Sequence, residues 1–182
     1  MLSLPLLAAD VGDMLSQEQY PKVYAMTKPK QTKGAAWIGY LYEADLLRVV
    51  RFARAAEGLK KYTQCRMAFA AAGQRQPKLR TELVARALNC AQKGKENEAV
   101  GLLAGQLLKT HEQDRALVAL GTLERGSKGV AERQKLAARC LSRWCQAKLL
   151  SMASKEATTE QRRSLDLALV EGFSDLSAGR AA

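Results

Sequence analysis

The 182-residue chain is short of several residue types, and each shortage removes a class of protein. It has one histidine, His111, and none of its four cysteines (Cys65, Cys90, Cys140, Cys145) belongs to a CxxC pair. A structural zinc site draws on four ligands at short, characteristic spacings, so neither a metal nor another cofactor is expected. Aromatic residues make up only 5% of the chain, which leaves alanine and leucine to build the core. The four prolines (Pro5, Pro21, Pro29, Pro77) all precede residue 78. From Lys78 onward only scattered glycines oppose helix. No apolar run is long enough to span a bilayer, and no stretch alternates as a half-buried strand does. The opening Met1–Asp10 is apolar but short, lacks a preceding basic residue and runs into acids. That pattern is unlike a secretory signal and reads as an arm docking on the domain.

What is present points to helix. Hydrophobic residues account for 47%, as in an ordinary globular protein. Trp37, Ile38, Leu41, Ala44, Leu47, Val50 and Ala55 keep helical spacing from Ala35 to about Glu57, with Gly58 as a stop. Tyr62, Cys65, Met67 and Phe69 mark a second helix, and Gly73 to Pro77 breaks it. Leu79, Leu83, Val84, Ala87, Leu88 and Ala91 form an apolar stripe that ends at Lys93-Gly94. A partner helix follows through Ala99, Val100, Leu102, Leu103, Leu107 and Leu108, in which Gly101 and Gly105 suggest close backbone approach. Further helices are expected over 114–123, over 130–154 as one long rod containing Trp144, and after a cap at Thr158 or Thr159. Pro21–Gly34 and Arg125–Gly129 read as irregular. The expected architecture is all-α: antiparallel helical hairpins stacked as a short solenoid-like array, or an irregular helical bundle. Residues 1–34 would be an N-terminal arm with a basic loop, 35–176 one helical domain and 177–182 a flexible tail.

The spacing of Ala87, Gly94, Ala99 and Leu103 resembles a tetratricopeptide hairpin: a small residue, a closing glycine, then an alanine opening the second helix. Gly121 follows Ala87 by one repeat length, with Leu117 and Leu120 before it. The resemblance covers about residues 80–150. It lacks the proline that usually closes each repeat, and it loses register after Gly126. It implies a stacked array whose concave side receives a peptide or partner helix, hence binding rather than catalysis.

Charge is the other pronounced feature. The formal net charge is +11, and it is uneven. Residues 21–97 hold sixteen Lys or Arg against five Asp or Glu, whereas residues 98–182 are nearly balanced. Lys28, Lys30 and Lys33 lie in a prolyl, glycyl segment that reads as an exposed loop. Arg48, Arg51 and Arg54 recur every third residue along one helix face, and Lys60, Lys61 and Arg66 follow. Such a surface suits an acidic protein segment, or phosphates bound without sequence preference.

No catalytic set is legible. His111 has no nucleophile or pocket in its neighbourhood, and Gly126-Ser-Lys-Gly129 lacks the order of a phosphate-binding loop. The cysteines sit among apolar residues and read as reduced core thiols, which places the chain in a cytoplasmic, reducing compartment. The function expected is a non-catalytic interaction or adaptor protein, within an oligomer or larger complex, that contacts an acidic protein partner. The alternative is a helical nucleic-acid-binding subunit of a nucleoprotein complex.

Overall fold

The computed structural model describes residues 13–177, in which helices joined by short connections are the regular structure and no strand occurs among the described residues. They form two compact units, meeting in sequence at Ala99 and Val100. The helices are α1 (Tyr20–Thr27), α2 (Gly34–Glu43), α3 (Leu46–Gly58), α4 (Tyr62–Arg75), α5 (Arg80–Lys93), α6 (Asn97–Leu107), α7 (Gln113–Gly121), α8 (Gly126–Ala137), α9 (Arg143–Glu156) and α10 (Thr159–Ser177). Residues 1–12 and 178–182, which hold most of the expected docking arm and of the expected tail, lie outside the described residues.

In the first unit α3 packs on both α1 and α4, and α4 also packs on α2 and α5. Val49, Phe52, Ala53, Ala55 and Ala56 of α3 are buried, as are Cys65, Ala68, Phe69, Ala71 and Ala72 of α4. With so many alanines facing inward, helices approach closely, and four rings fill the wider space at one end. Phe52 lies 5.2 Å from Tyr24, 5.6 Å from Trp37 and 5.7 Å from Tyr40, centroid to centroid. Edge and tilted contacts of this kind add stabilisation beyond area burial.

The structure departs from sequence expectation at several places in this unit, one of them Gly73, which lies inside α4 and not at its break. Pro21–Thr27 is helical, because Pro21 occupies the start of α1, where its missing N–H costs nothing. The stretch 35–57 is two helices. Ala44 is extended, and the Asp45 carboxylate caps α3 by accepting the Arg48 amide at 2.9 Å. Arg75 of α4 covers the opened end of α2 by donating to the carbonyls of Leu41 and Ala44. The break also puts Ile38 and Leu47, expected in the core, at the surface.

At Gly58 the close of α3 meets the ring of Tyr20, and a β-carbon there would stand 2.3 Å from the ring. The Gly58→Ala protein is therefore expected to unfold at lower urea, losing about 1–3 kcal/mol through displacement of the start of α1. An unchanged midpoint would show that Tyr20 swings aside at no cost.

In the second unit α9 packs on α7, α8 and α10. Leu117, Ala137, Cys140, Cys145 and Leu149 form one core cluster, and Val130, Ala153 and Leu165 form another. The long helix expected over 130–154 is interrupted at Ala138–Ser142, where Ser142 caps α9 by accepting the Cys145 amide at 3.2 Å. Starting α9 there turns Cys145 inward and leaves Trp144 39% exposed, so Trp144 is not the core residue that the stripe suggested. Gly126 begins α8 rather than a turn, with a φ of +63° that favours glycine. Thr158 does cap α10, in a capping box. Its hydroxyl accepts the Gln161 amide while the Gln161 side chain accepts the Thr158 amide. Gly105 meets nothing within 4 Å and Gly101 only Leu123, so this pair does not seat a helix backbone among the described residues.

Inside this unit lies a buried arginine. Arg133 is 3% exposed, and its guanidinium donates to the carbonyls of Gly121, Glu124 and Met152 and to the Glu156 carboxylate. Glu156 also accepts the Gly126 amide at 2.9 Å. The hydrogen bond from Arg133 holds the Glu156 carboxyl below its ordinary value of 4.5. A depressed folded-state value stabilises above the unfolded value and is lost as pH falls through the folded one. Stability of the native chain should thus decline below about pH 4.5 more steeply than that of Glu156→Gln. The same acid decline in both proteins, in parallel titrations followed by circular dichroism, would remove this assignment.

The cysteines overturn the expected compartment. All four are buried, as expected, but they are not thiols: Cys65 is bonded to Cys90 and Cys140 to Cys145. Two disulfides point to an oxidising, extracellular or secreted setting rather than a reducing cytoplasm. The spacing concealed this because packing of α4 on α5 brings Cys65 and Cys90 together. The bend between α8 and α9 does the same for Cys140 and Cys145.

Candidate functional site

The candidate cations all fall in the first unit. Lys28 follows α1, Lys30 and Lys33 occupy the connection to α2, Arg48, Arg51 and Arg54 lie on α3, and Lys60 and Lys61 form the turn into α4. Lys60 takes a left-handed φ of +58°, which reverses the chain there. Every one of these residues is exposed except Arg51, which is half-buried.

The structure draws several of them to the C-terminal half of α1. The Thr27 carbonyl accepts the Tyr40 hydroxyl at 2.7 Å and Arg48 Nε at 3.3 Å. The Arg48 guanidinium also lies 5.9 Å from the Tyr40 ring. Burial pushes the Tyr40 hydroxyl up to about 12, against the opposing pull of the Arg48 charge, so it stays a donor to Thr27. One turn earlier on α1, Lys61 Nζ sits 3.9 Å from the Tyr24 ring centroid, a cation–π contact. Arg48 and Lys61 therefore brace α1 as well as contributing charge. Lys28, Lys30, Lys33, Lys60 and Arg54 present exposed charge around that framework.

The nearby acids are few, with Glu43 exposed at the end of α2. Asp45 is spent on the α3 cap. Glu57 accepts from Asn89 and Lys93, and Glu96 pairs with Arg66, which removes Arg66 from the basic surface. The positive excess is thus left with the α1–α3 region. Sequence spacing located these cations; the structural duty of Arg48 and Lys61 rests on contacts with α1 that no spacing reveals.

Two further groupings bring ligand-type atoms together. Glu57, Cys65 and Cys90 place one carboxylate oxygen and two sulfurs within 4.8 Å of one another, and Asp114, Cys140 and Cys145 do the same. Asp114 accepts the Leu141 and Ser142 amides, each at 2.8 Å. Burial raises its pKa, but the Ser142 hydroxyl and these two amides outweigh that and hold the carboxyl below the ordinary aspartate range. Sequence reading missed both groupings, because each carboxylate arrives from a different helix.

No helix among the described residues is long and apolar enough to cross a membrane. No family model, no curated protein and no solved structure matches this chain.

Proposed function

We propose that this chain is a non-catalytic helical interaction module whose first unit docks an acidic segment of a partner protein. The observation that carries the reading is the excess positive charge around α1–α3: five exposed cations on a braced frame against few acids, of which Asp45 serves as a cap and Glu57 pairs with Lys93. Charge complementarity of this kind speeds encounter and selects partners by sign. The resemblance of residues 80–150 to tetratricopeptide-like repeats supports the same reading by analogy.

The test is binding of a fluorescent polyglutamate peptide across a salt series, with the full disulfide-bonded chain. Lys28→Glu, Lys30→Glu, Lys33→Glu and Arg54→Glu are combined, because these side chains are exposed, while Arg48 and Lys61 hold α1. The expected result is measurable affinity at low salt that falls with salt, and at least about a tenfold loss in the variant. No binding at low salt overturns the reading. The three-residue spacing of Arg48, Arg51 and Arg54 keeps sequence-independent nucleic-acid binding as the second reading. Tighter binding of single- or double-stranded oligonucleotide than of the peptide, with a steeper salt slope, would favour it.

A further inference from the structure

We propose that Asp114, Cys140 and Cys145 form a redox-gated site for a thiophilic divalent cation such as Zn2+: closed while the disulfide is intact, open once it is reduced. Tetrahedral zinc with sulfur at about 2.3 Å and carboxylate oxygen at about 2.1 Å needs donors roughly 3.4–3.8 Å apart. The three donor atoms already lie within 4.8 Å of one another, so separation of the two sulfurs by side-chain rotation brings them into range. Three protein ligands leave the fourth position to water.

The carboxylate is aimed by the backbone. Each Asp114 oxygen accepts one amide, from Leu141 and from Ser142, and the Ser142 hydroxyl takes a further lone pair of one of them, which leaves a lone pair on the other oxygen for a metal. Those amides belong to the loop between the two cysteines, so the residues that place the carboxylate also place the sulfurs. Cys145 stands in the first turn of α9, at the positive end of the helix. Cys140 is 9% exposed and gives the side of entry, whereas Cys145 is fully buried. The grouping in the first unit is a poorer host. There Lys93 Nζ lies 2.9 Å from Glu57, and its positive charge opposes a cation.

The chemistry balances in two steps. A dithiol reductant gives two electrons and two protons to the Cys140–Cys145 bond and leaves as its own disulfide. The two thiols then lose two protons to solvent as two metal–sulfur bonds form.

The experiment uses Co2+ as a spectroscopic probe on the full chain, reduced with dithiothreitol and desalted without oxygen. The reduced chain is expected to develop thiolate-to-cobalt charge-transfer absorption that Zn2+ displaces, while the oxidised chain shows none. Cys140→Ser with Cys145→Ser should remove that absorption or cut it sharply. Asp114→Asn keeps an oxygen for only one of the two loop amides, so its far-ultraviolet circular dichroism and urea midpoint are measured beside the metal titration, and affinity is compared only in the folded variant. It should weaken Co2+ binding at least about tenfold, the loss typical of disturbing even an outer-shell partner. Absence of the band in the reduced chain, an equal band in the double cysteine variant, or unaltered affinity in Asp114→Asn each overturns the site.

Discussion

Replacing Arg133 by alanine is expected to unfold the second unit at a far lower urea concentration than the native chain requires. The guanidinium is buried and donates to three backbone carbonyls and one carboxylate, at the end of α7, in the connection to α8 and on α9. Its removal takes the guanidinium away from the three carbonyls in an enclosed site, while Glu156 keeps the Gly126 amide. Breaking such a buried set by deleting one partner costs about 3–5 kcal/mol. Lysine would not restore it, because one ammonium cannot reproduce the planar fork that meets acceptors on three segments. Urea unfolding of Arg133→Ala and Arg133→Lys, with Lys135→Ala as an exposed control, provides the check. A shift in Arg133→Ala no larger than the control's would show that the arginine is replaceable.

Loss of the Cys65–Cys90 disulfide is expected to cost more than loss of Cys140–Cys145. The first closes a loop of sequence separation 25 and the second one of only 5. On the chain-entropy account the longer crosslink contributes about 3.5 kcal/mol and the shorter about 2 kcal/mol. Both bonds are buried, so substitution by serine also removes well-packed sulfur from the core. The measurement is urea unfolding of each paired Cys→Ser variant, with and without dithiothreitol and with chelator present. The reductant should destabilise the native chain by roughly the sum of the two effects, and each variant only by its remaining bond. Equal midpoints with and without reductant would contradict the pairing.

Much of the helical pattern was readable from spacing. The stripe Leu83, Val84, Ala87, Leu88 and Ala91 is buried, although its first member Leu79 is exposed, and Thr158 caps α10. The breaks were not readable in the same way. Apolar spacing runs on through Ala44 and through Ala138–Ser142, so a periodic reading joins helices that the structure separates. In each case the break is held by a distant group: Arg75 covers the end of α2, and Asp114 holds the amides before α9. The cations Lys28, Lys30, Lys33 and Arg54 were found as exposed charge, whereas Arg48 and Lys61 carry a bracing duty as well.

The amino-acid sequence by itself determined the helical class, the alanine-rich close packing and the sign and location of the excess charge. These depend on local composition and on neighbours three and four residues away along the chain. Only the tertiary structure decided which cysteines pair, which acids are withdrawn into caps and ion pairs, and that Arg133 is buried. Those outcomes depend on groups far apart in sequence, whose distances are set by how one helix packs on another.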